Sequence, residues 1–216
     1  MRYPRKPFSG DLVDKAHLMG FSIGDLRVRK IGDASRTVFV DCGSTKQAQI
    51  ALIRSLFDGY GRVWVSNPSD TGKVHIQASL DESFSFLLAA RRDLEMFLED
   101  SEAFFPFLAG FSDAEGCFGV TRHRAYYSLG NYDKSLLELI RQKLLERGIP
   151  LPVVYTDNKL YISSDGYRRN GYYSHLAVHR KEALAKLIRC LEPFTRHKDK
   201  KRRMRLAKQN LMERGL

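Results

Sequence analysis

Along this chain, stretches in which apolar residues return every three or four positions alternate with stretches in which they return every second position, and the order of these stretches occurs twice. Leu18 to Asp25, LMGFSIGD, reads as an apolar helix carrying small residues. Two alternating runs follow, Leu26 to Ile31 and Thr37 to Asp41, and read as strands. After Ser44-Thr45, the residues Ile50, Ile53, Leu56 and Phe57 fall on one side of an amphipathic helix. The same order returns with LAGFSDAE, Leu108 to Glu115, then strands over Cys117 to Arg124 and Tyr126 to Leu129. A helix with Leu136, Leu137, Ile140 and Leu144 on one face follows, with Asp133 placed as its N-cap. Each half continues with two more strands and a closing helix, which predicts the order helix, two strands, helix, two strands, helix.

Four landmarks carry the repeat. Gly20, Phe21 and Ser22 return as Gly110, Phe111 and Ser112, 90 residues on. Leu52 to Arg54 returns as Leu139 to Arg141, and the glycine closing each helix, Gly61, returns as Gly148, both 87 residues on. Lys73-Val74-His75-Ile76 is matched to Lys159-Leu160-Tyr161-Ile162, 86 residues on. Ordered matches at a nearly constant spacing indicate two copies of one unit. The expected division is a first half over residues 1–92, a connector over 93–105 and a second half over 106–216. The stretch from Arg91 to Phe105 is charged but places Leu94, Phe97 and Leu98 at helical spacing, as an ordered connector would.

Charge narrows the function. The formal net charge is +11 over 216 residues, and self-repulsion of that size adds nothing to folding, so a polyanionic partner is implied. Nucleic acid fits better than a membrane surface, because no apolar run approaches the ~18 residues that span a bilayer. The start, MRYPRKPF leading into SGDLVDK, has no signal-peptide pattern, and a cytoplasmic location is expected. Cys42, Cys117 and Cys190 are odd in number and widely spaced, which argues against both a disulfide framework and a metal knuckle; reduced core residues are expected.

The repeated helix carries the candidate chemistry. Glycine inside a helix costs roughly 1 kcal/mol, so something must offset it. Gly20 with Gly24, and Gly110 with Ala114, clear one stripe of each helix and allow two backbones to approach closely, the logic of small-xxx-small pairs. If these helices pack together about a pseudo-twofold axis, Asp25 and Glu115 at their C-terminal ends become neighbours. Two carboxylates facing the negative ends of two helix dipoles repel, and a divalent cation compensates them. Oxygen-only ligands favour Mg²⁺, completed by water and phosphate oxygens.

LAGFSDAEG, Leu108 to Gly116, resembles the LAGLIDADG motif of the homing endonucleases, differing by Phe, Ser and Glu. LMGFSIGDL resembles the first motif of the single-chain, archaeal-like members, with Leu26 where a glycine is commoner. The resemblance covers nearly the whole chain. It implies an α+β fold of two pseudo-twofold αββαββα units, whose antiparallel sheets form a saddle over DNA with the motif helices packed at the centre. It also implies that Asp25 and Glu115 bind metal in a Mg²⁺-dependent, monomeric endonuclease that cuts a long double-stranded DNA target. LEPFTRHK, Leu191 to Lys198, is similar to a family stretch that precedes a basic pocket residue, which makes Lys198 the third catalytic candidate.

Strands facing a groove alternate long polar side chains with apolar ones, as Arg27 and Arg29, and Lys73 and His75, do in the first half. Arg122, Arg124, Tyr126, Tyr155, Lys159, Arg168 and Arg169 are the DNA-binding candidates of the second half. The tail from Arg196 to Lys208 holds eight lysines and arginines against one acid, and its Lys200, Lys201 and Arg202 are expected to grip phosphates. His175 and His179 have an HxxxH spacing without an acidic or cysteine partner nearby, and read as strand histidines rather than zinc ligands. Tyr172 and Tyr173 read as packing residues, and Gly43-Ser44-Thr45-Lys46 lacks the spacing of a phosphate loop. Two alternatives share the fold and the charge: a maturase that binds intron RNA, and a DNA-binding protein that does not cut.

Overall fold

A computed structural model describes residues 3–88, 94–157, 161, 162, 168, 169 and 172–215. The first helix, α1 (Leu12–Asp25), starts at Asp11, whose carboxylate accepts from the Asp14 amide at 2.9 Å. It leads into β1 (Arg27–Lys30) and β2 (Thr37–Ser44), then α2 (Gln47–Phe57), then β3 (Arg62–Val65) and β4 (Val74–Asp81). These strands form one antiparallel sheet in the order β1-β2-β4-β3. Along β4 burial alternates without a break, with Val74, Ile76, Ala78 and Leu80 turned inward, because the side-chain period of a strand is two. That inner face meets Leu18 and Phe21 of α1 and Leu52, Ile53, Leu56 and Phe57 of α2 in one core.

The closing helix expected in the first half is a 3₁₀ helix, Glu82–Leu88. Its buried residues, Phe84 and Leu87, are three apart, and a helix with three residues per turn places both on the core side. Phe84 packs edge-on against Tyr60 and Phe8, with ring centroids 5.0 and 5.3 Å away. The connector contains α3 (Glu95–Glu99), with Phe97 and Leu98 buried, and residues 89–93 lie outside the described ones. Asp100 then accepts from the amides of Glu102 and Ala103 at 2.7 and 2.9 Å and so opens α4 (Phe104–Glu115).

After α4 come β5 (Gly116–Thr121), β6 (Arg124–Asn131), α5 (Lys134–Glu146), β7 (Tyr155–Asp157), β8 (Tyr161–Ile162), β9 (Arg168–Arg169), β10 (Tyr173–Val178), α6 (Lys181–Leu191) and α7 (Lys198–Glu213). Asp133 caps α5, accepting from the Leu136 amide at 3.0 Å. The second four-stranded sheet has the order β5-β6-β10-β7, which is the first sheet's order of first, second, fourth and third strand. The repeat is therefore a repeat of topology as well as of letters.

It also corrects one landmark. The strand equivalent to β4 is β10, whereas Tyr161–Ile162 pairs with Arg168–Arg169 in a separate two-stranded piece. A four-residue alternating pattern fits any strand: Tyr161–Ile162 and Arg168–Arg169 are two short paired strands lying in sequence between the third and fourth strands of the second sheet, and Lys159 and Leu160 lie outside the described residues. The β5–β6 turn is corrected too. Arg122 and His123 both take left-handed backbone angles, φ 47° and 60°, which makes them the two central residues of a tight hairpin and puts Arg124 on β6 rather than at the end of β5. Asn210 of α7 braces that turn, accepting from the Ala125 amide at 2.9 Å and donating to the His123 carbonyl at 3.3 Å.

The chain divides into two compact units, Met1–Ala114 with Arg196–Asp199, and Glu115–Thr195 with Lys200–Leu216. The first contains α1 and all of α4 except its last residue. No helix among the described residues is long and apolar enough to cross a membrane.

Candidate nucleic-acid interface and acidic site

Two glycines bring α1 and α4 together inside the first unit. A β-carbon on Gly20 would lie 2.0 Å from the Phe107 carbonyl oxygen, and one on Gly110 would lie 2.0 Å from that of His17. Nothing larger than hydrogen fits at either crossing point, so the helix cost of glycine is offset by backbone contact. Ala114, one turn beyond Gly110, packs on the first unit's core, and Gly24 is half-buried. Asp25 ends α1 and Glu115 ends α4.

Asp25 is half-buried, and Gln49 of α2 donates its side-chain amide to Asp25 Oδ2 at 2.6 Å. The nearby Cys42 thiol is pushed up to about 11, first by burial and then by the Asp25 charge, so it stays protonated at neutral pH. Cys42 is the cysteine in the core; Cys117 and Cys190 are half-buried, and all three are free.

Asp25 opens onto a cavity of about 710 Å³ on the outer face of the first sheet, where Arg27, Arg29, Asp41, Lys73, His75 and Gln77 converge. Arg27, Lys73 and His75 are exposed and Arg29 is half-buried. A β-carbon on Gly43 would lie 2.6 Å from Lys73 Cε, so the lysine stem lies across the sheet where that side chain is missing. In the middle stands Asp41. Its Oδ2 accepts from Arg29 Nε at 3.0 Å, its Oδ1 accepts from Gln77 Nε2 at 2.7 Å, and His75 Nε2 lies 3.3 Å from Oδ1. Further along the same face, Arg62, Arg36, Arg5 and Tyr3 line a second cavity, with the Arg62 guanidinium 4.4 Å from the centre of the Tyr3 ring.

In the second unit the outward positions of β5, β6, β10 and β7 include Cys117, Tyr126, His175 and Tyr155. Tyr126 is half-buried, its ring 2.7 Å from where a Gly119 β-carbon would stand, and burial followed by the neighbouring Cys117 raises its phenol. Tyr155 is exposed on the edge strand beside His175. Arg122 is exposed at the hairpin tip, and Arg124 is exposed at the start of β6. Lys200 donates to the Gly116 carbonyl, next to Glu115, and Arg203 donates to Cys117 Sγ at 3.2 Å. Lys201 is half-buried and Arg202 exposed. Arg168 and Arg169 form β9 as backbone, and Lys159 lies outside the described residues. Of the tyrosine pair, Tyr173 packs against Tyr132 and His175, whereas Tyr172 is exposed with φ 79°.

Lys198 is exposed at the first residue of α7, and what fixes that start is Asp113. This fully buried carboxylate accepts from the amides of Arg196 and His197 at 2.7 and 3.2 Å and from His17 Nε2 at 3.0 Å, all on Oδ2. Arg196 in turn donates through its guanidinium to Asp14 of α1. Burial holds the His17 imidazole below its ordinary value, against the opposing pull of Asp113. His17, Asp113, Asp41, Gln77, Gln49, Arg62 and Arg203 were not among the expected site residues. Asp113 had a signal: it is an acid where the first copy has Ile23.

A cation at Asp25 fits this structure in one way only. Among the described residues no three His, Cys, Asp or Glu side chains come together to hold a metal. A hard ion that keeps several waters and takes phosphate oxygens needs only one or two carboxylates, and Asp25, oriented by Gln49 beside an open basic cavity, meets that demand.

Residues 105–189 match the profile of a family described as a LAGLIDADG-like domain. No curated protein is significantly similar in sequence. Among solved structures, I-DmoI in complex with DNA and Ca superposes with a TM-score of 0.57 at 17% identity, covering 84% of this chain and 90% of that one. Variants of the homing endonuclease I-DmoI give 0.55 at 18% identity, over 84% and 97% of the two chains. Other I-DmoI complexes with target DNA are solved with Mn and with Mg. The full-length DUF199/WhiA protein of Thermatoga maritima gives 0.58 at 14% identity; the match covers 97% of this chain and 63% of that one.

Proposed function

From a chain that carries a LAGLIDADG-like domain over residues 105–189 within the two-unit LAGLIDADG fold, we propose a site-specific endonuclease that hydrolyses both strands of a long DNA duplex with Mg²⁺. The observation that carries this reading is Asp25, an acid held by Gln49 at the end of a motif helix and opening onto a basic sheet face.

Asp25 and Glu115 are the acidic ligands in this reading. These two acids would hold the divalent ion, which when bound would supply an activated water and offset charge on the scissile phosphate. Gln49 keeps one Asp25 oxygen turned toward α2 and so sets the direction of the other. Arg27 and Lys73 neutralise phosphates flanking the cut, Lys198 offers an ammonium to the phosphate or its water network, and Lys200 holds the turn after Glu115 through the Gly116 carbonyl. Arg122, Arg124, Tyr126 and Tyr155 contact the other half of the target. The helix crossing at Gly20 and Gly110 supplies the rigid base that such alignment requires. The partner is duplex DNA rather than intron RNA, and the active form is a monomer, as a chain with two copies of the motif allows.

A DNA-binding protein that does not cut is the second reading, favoured by the absence, among the described residues, of any group of three His, Cys, Asp or Glu side chains placed to hold a metal ion. A duplex reconstructed from the sequences flanking the gene separates the two. The nuclease reading expects cleavage with Mg²⁺, none in EDTA, and loss of cleavage with retained binding in Asp25→Asn and Glu115→Gln. Tight sequence-selective binding with no cleavage in Mg²⁺ or Mn²⁺ would establish the second reading instead.

A further inference from the structure

A carboxylate on a surface that meets a polyanion is unfavourable unless it does something for its neighbours. Asp41 lies on β2 in the middle of the outer face of the first sheet, its side chain only 10% exposed. It stands directly opposite Gln77 on β4 and Arg27 on β1, and diagonally across from Arg29 and His75. Those four neighbours are donors or cations, and three of them already engage it.

The chemistry of these contacts fixes what each neighbour has left. A carboxylate accepts only, so Gln77 must turn its amide nitrogen toward Asp41 and present its carbonyl oxygen elsewhere. Arg29 gives Asp41 its Nε, which leaves both terminal nitrogens as a donor pair. The Arg29 guanidinium also lies 5.0 Å from the centre of the Phe39 ring, its direct cross-strand partner, so two contacts set its orientation.

We propose that Asp41 is the positioning residue for base recognition by the first unit. It fixes Arg29 as a two-donor reader of guanine and Gln77 as an acceptor that reads the exocyclic amine of adenine or cytosine a short step away. Its own charge is spent on these neighbours, so Asp41 touches no base. This rests on the reading of the chain as a duplex-DNA binder.

The test selects bound sequences from a randomised duplex library in EDTA, for the full-length wild type and for Arg29→Ala, Gln77→Ala and Asp41→Asn. Arg29→Ala is expected to erase a guanine preference at one position, and Gln77→Ala a preference for an amine-bearing base close by. Asp41→Asn is expected to erase both at once, each by roughly 10- to 100-fold, while binding non-specific duplex at least as tightly as the wild type, because it removes a negative charge from that face. A merely structural role for Asp41 would blur every position equally, and that outcome overturns the proposal, as does an Asp41→Asn protein with the wild-type profile. If Asp41→Asn fails to fold, the other two variants decide: affected positions that are not near neighbours overturn it. A wild type that binds duplex but enriches no sequence refutes the site-specific reading on which this rests, and one that binds no duplex refutes DNA binding itself, both before any substitution is made.

Discussion

The imidazole of His17 and the carboxylate of Asp113 meet at 3.0 Å, both fully buried, where the two motif helices cross. Asp113 also holds the two amides that precede α7, so one side chain ties α1, α4 and the approach to Lys198. Removing it strands a buried imidazole, the buried amide of His197 and the half-buried amide of Arg196. Asp113→Ala is expected to lower stability by about 3–5 kcal/mol, and Asp113→Asn, which keeps an acceptor, by clearly less. Urea unfolding monitored by circular dichroism measures both; equal losses would show that the hydrogen bonds contribute little.

His17 also sets an acid limit on stability. Burial, the largest influence on it, holds the folded imidazole below its ordinary 6.5, so the folded protein stays neutral at His17 where the unfolded chain takes up a proton. The contribution is therefore fully present above pH 6.5 and is lost progressively as pH falls from there through the lower value of the folded imidazole. Thermal melting between about pH 8 and pH 5 is expected to show this decline, reduced in His17→Gln. An unchanged slope in the variant would assign the decline to other groups.

Gly20 and Gly110 admit no side chain. Because the obstructing atoms are backbone carbonyls rather than flexible side-chain ends, Gly20→Ala and Gly110→Ala should each cost about 3 kcal/mol or more. Gly32, whose β-carbon position is open but whose φ is 78°, should lose less on substitution. Paired urea melts test the ranking.

The sequence pattern made the two copies, their strands and the motif glycines legible because each depends on local period or on one small residue. The Asp133 cap was equally local. The His17–Asp113 pair was not legible, since it joins positions 96 apart in sequence and breaks the repeat on which the reading relied. The Asp41 cluster was hidden for a related reason: Asp41, Arg29 and Gln77 come from three strands, and only their register makes them neighbours. Tyr161–Ile162 shares the alternating pattern of β4 although β10 is its equivalent, because so few alternating residues carry no information about which strand they form.

Trp64 is the one tryptophan in the chain, 44% exposed on β3 opposite Gln77 and 6.0 Å from the His75 ring. Duplex binding on the first sheet's outer face should therefore change its fluorescence, and the change should weaken steeply with salt. Lys73→Ala should lower the slope of log affinity against log salt by about one without altering base preference, as loss of one phosphate contact does. A Lys73→Ala protein with the wild-type slope would remove that lysine from the interface.

On the nuclease reading, Gln49 is the residue whose substitution should separate holding DNA from cutting it. Its amide donates to Asp25 Oδ2 at 2.6 Å from a position on α2 that is itself buried, so it orients the acid without reaching into the basic cavity. Groups that orient a metal-binding carboxylate typically change metal affinity or rate by about 10- to 100-fold when removed. Gln49→Leu is accordingly expected to raise the Mg²⁺ concentration needed for half-maximal cleavage by about that factor while leaving duplex affinity in EDTA unchanged. Gln49→Glu places a second negative charge against Asp25 and should disturb the same Mg²⁺ titration without restoring the wild-type curve. If instead Gln49→Leu cuts faster or at lower Mg²⁺, the hydrogen bond restrains Asp25 rather than prepares it, and the protein is built to bind its target more than to break it.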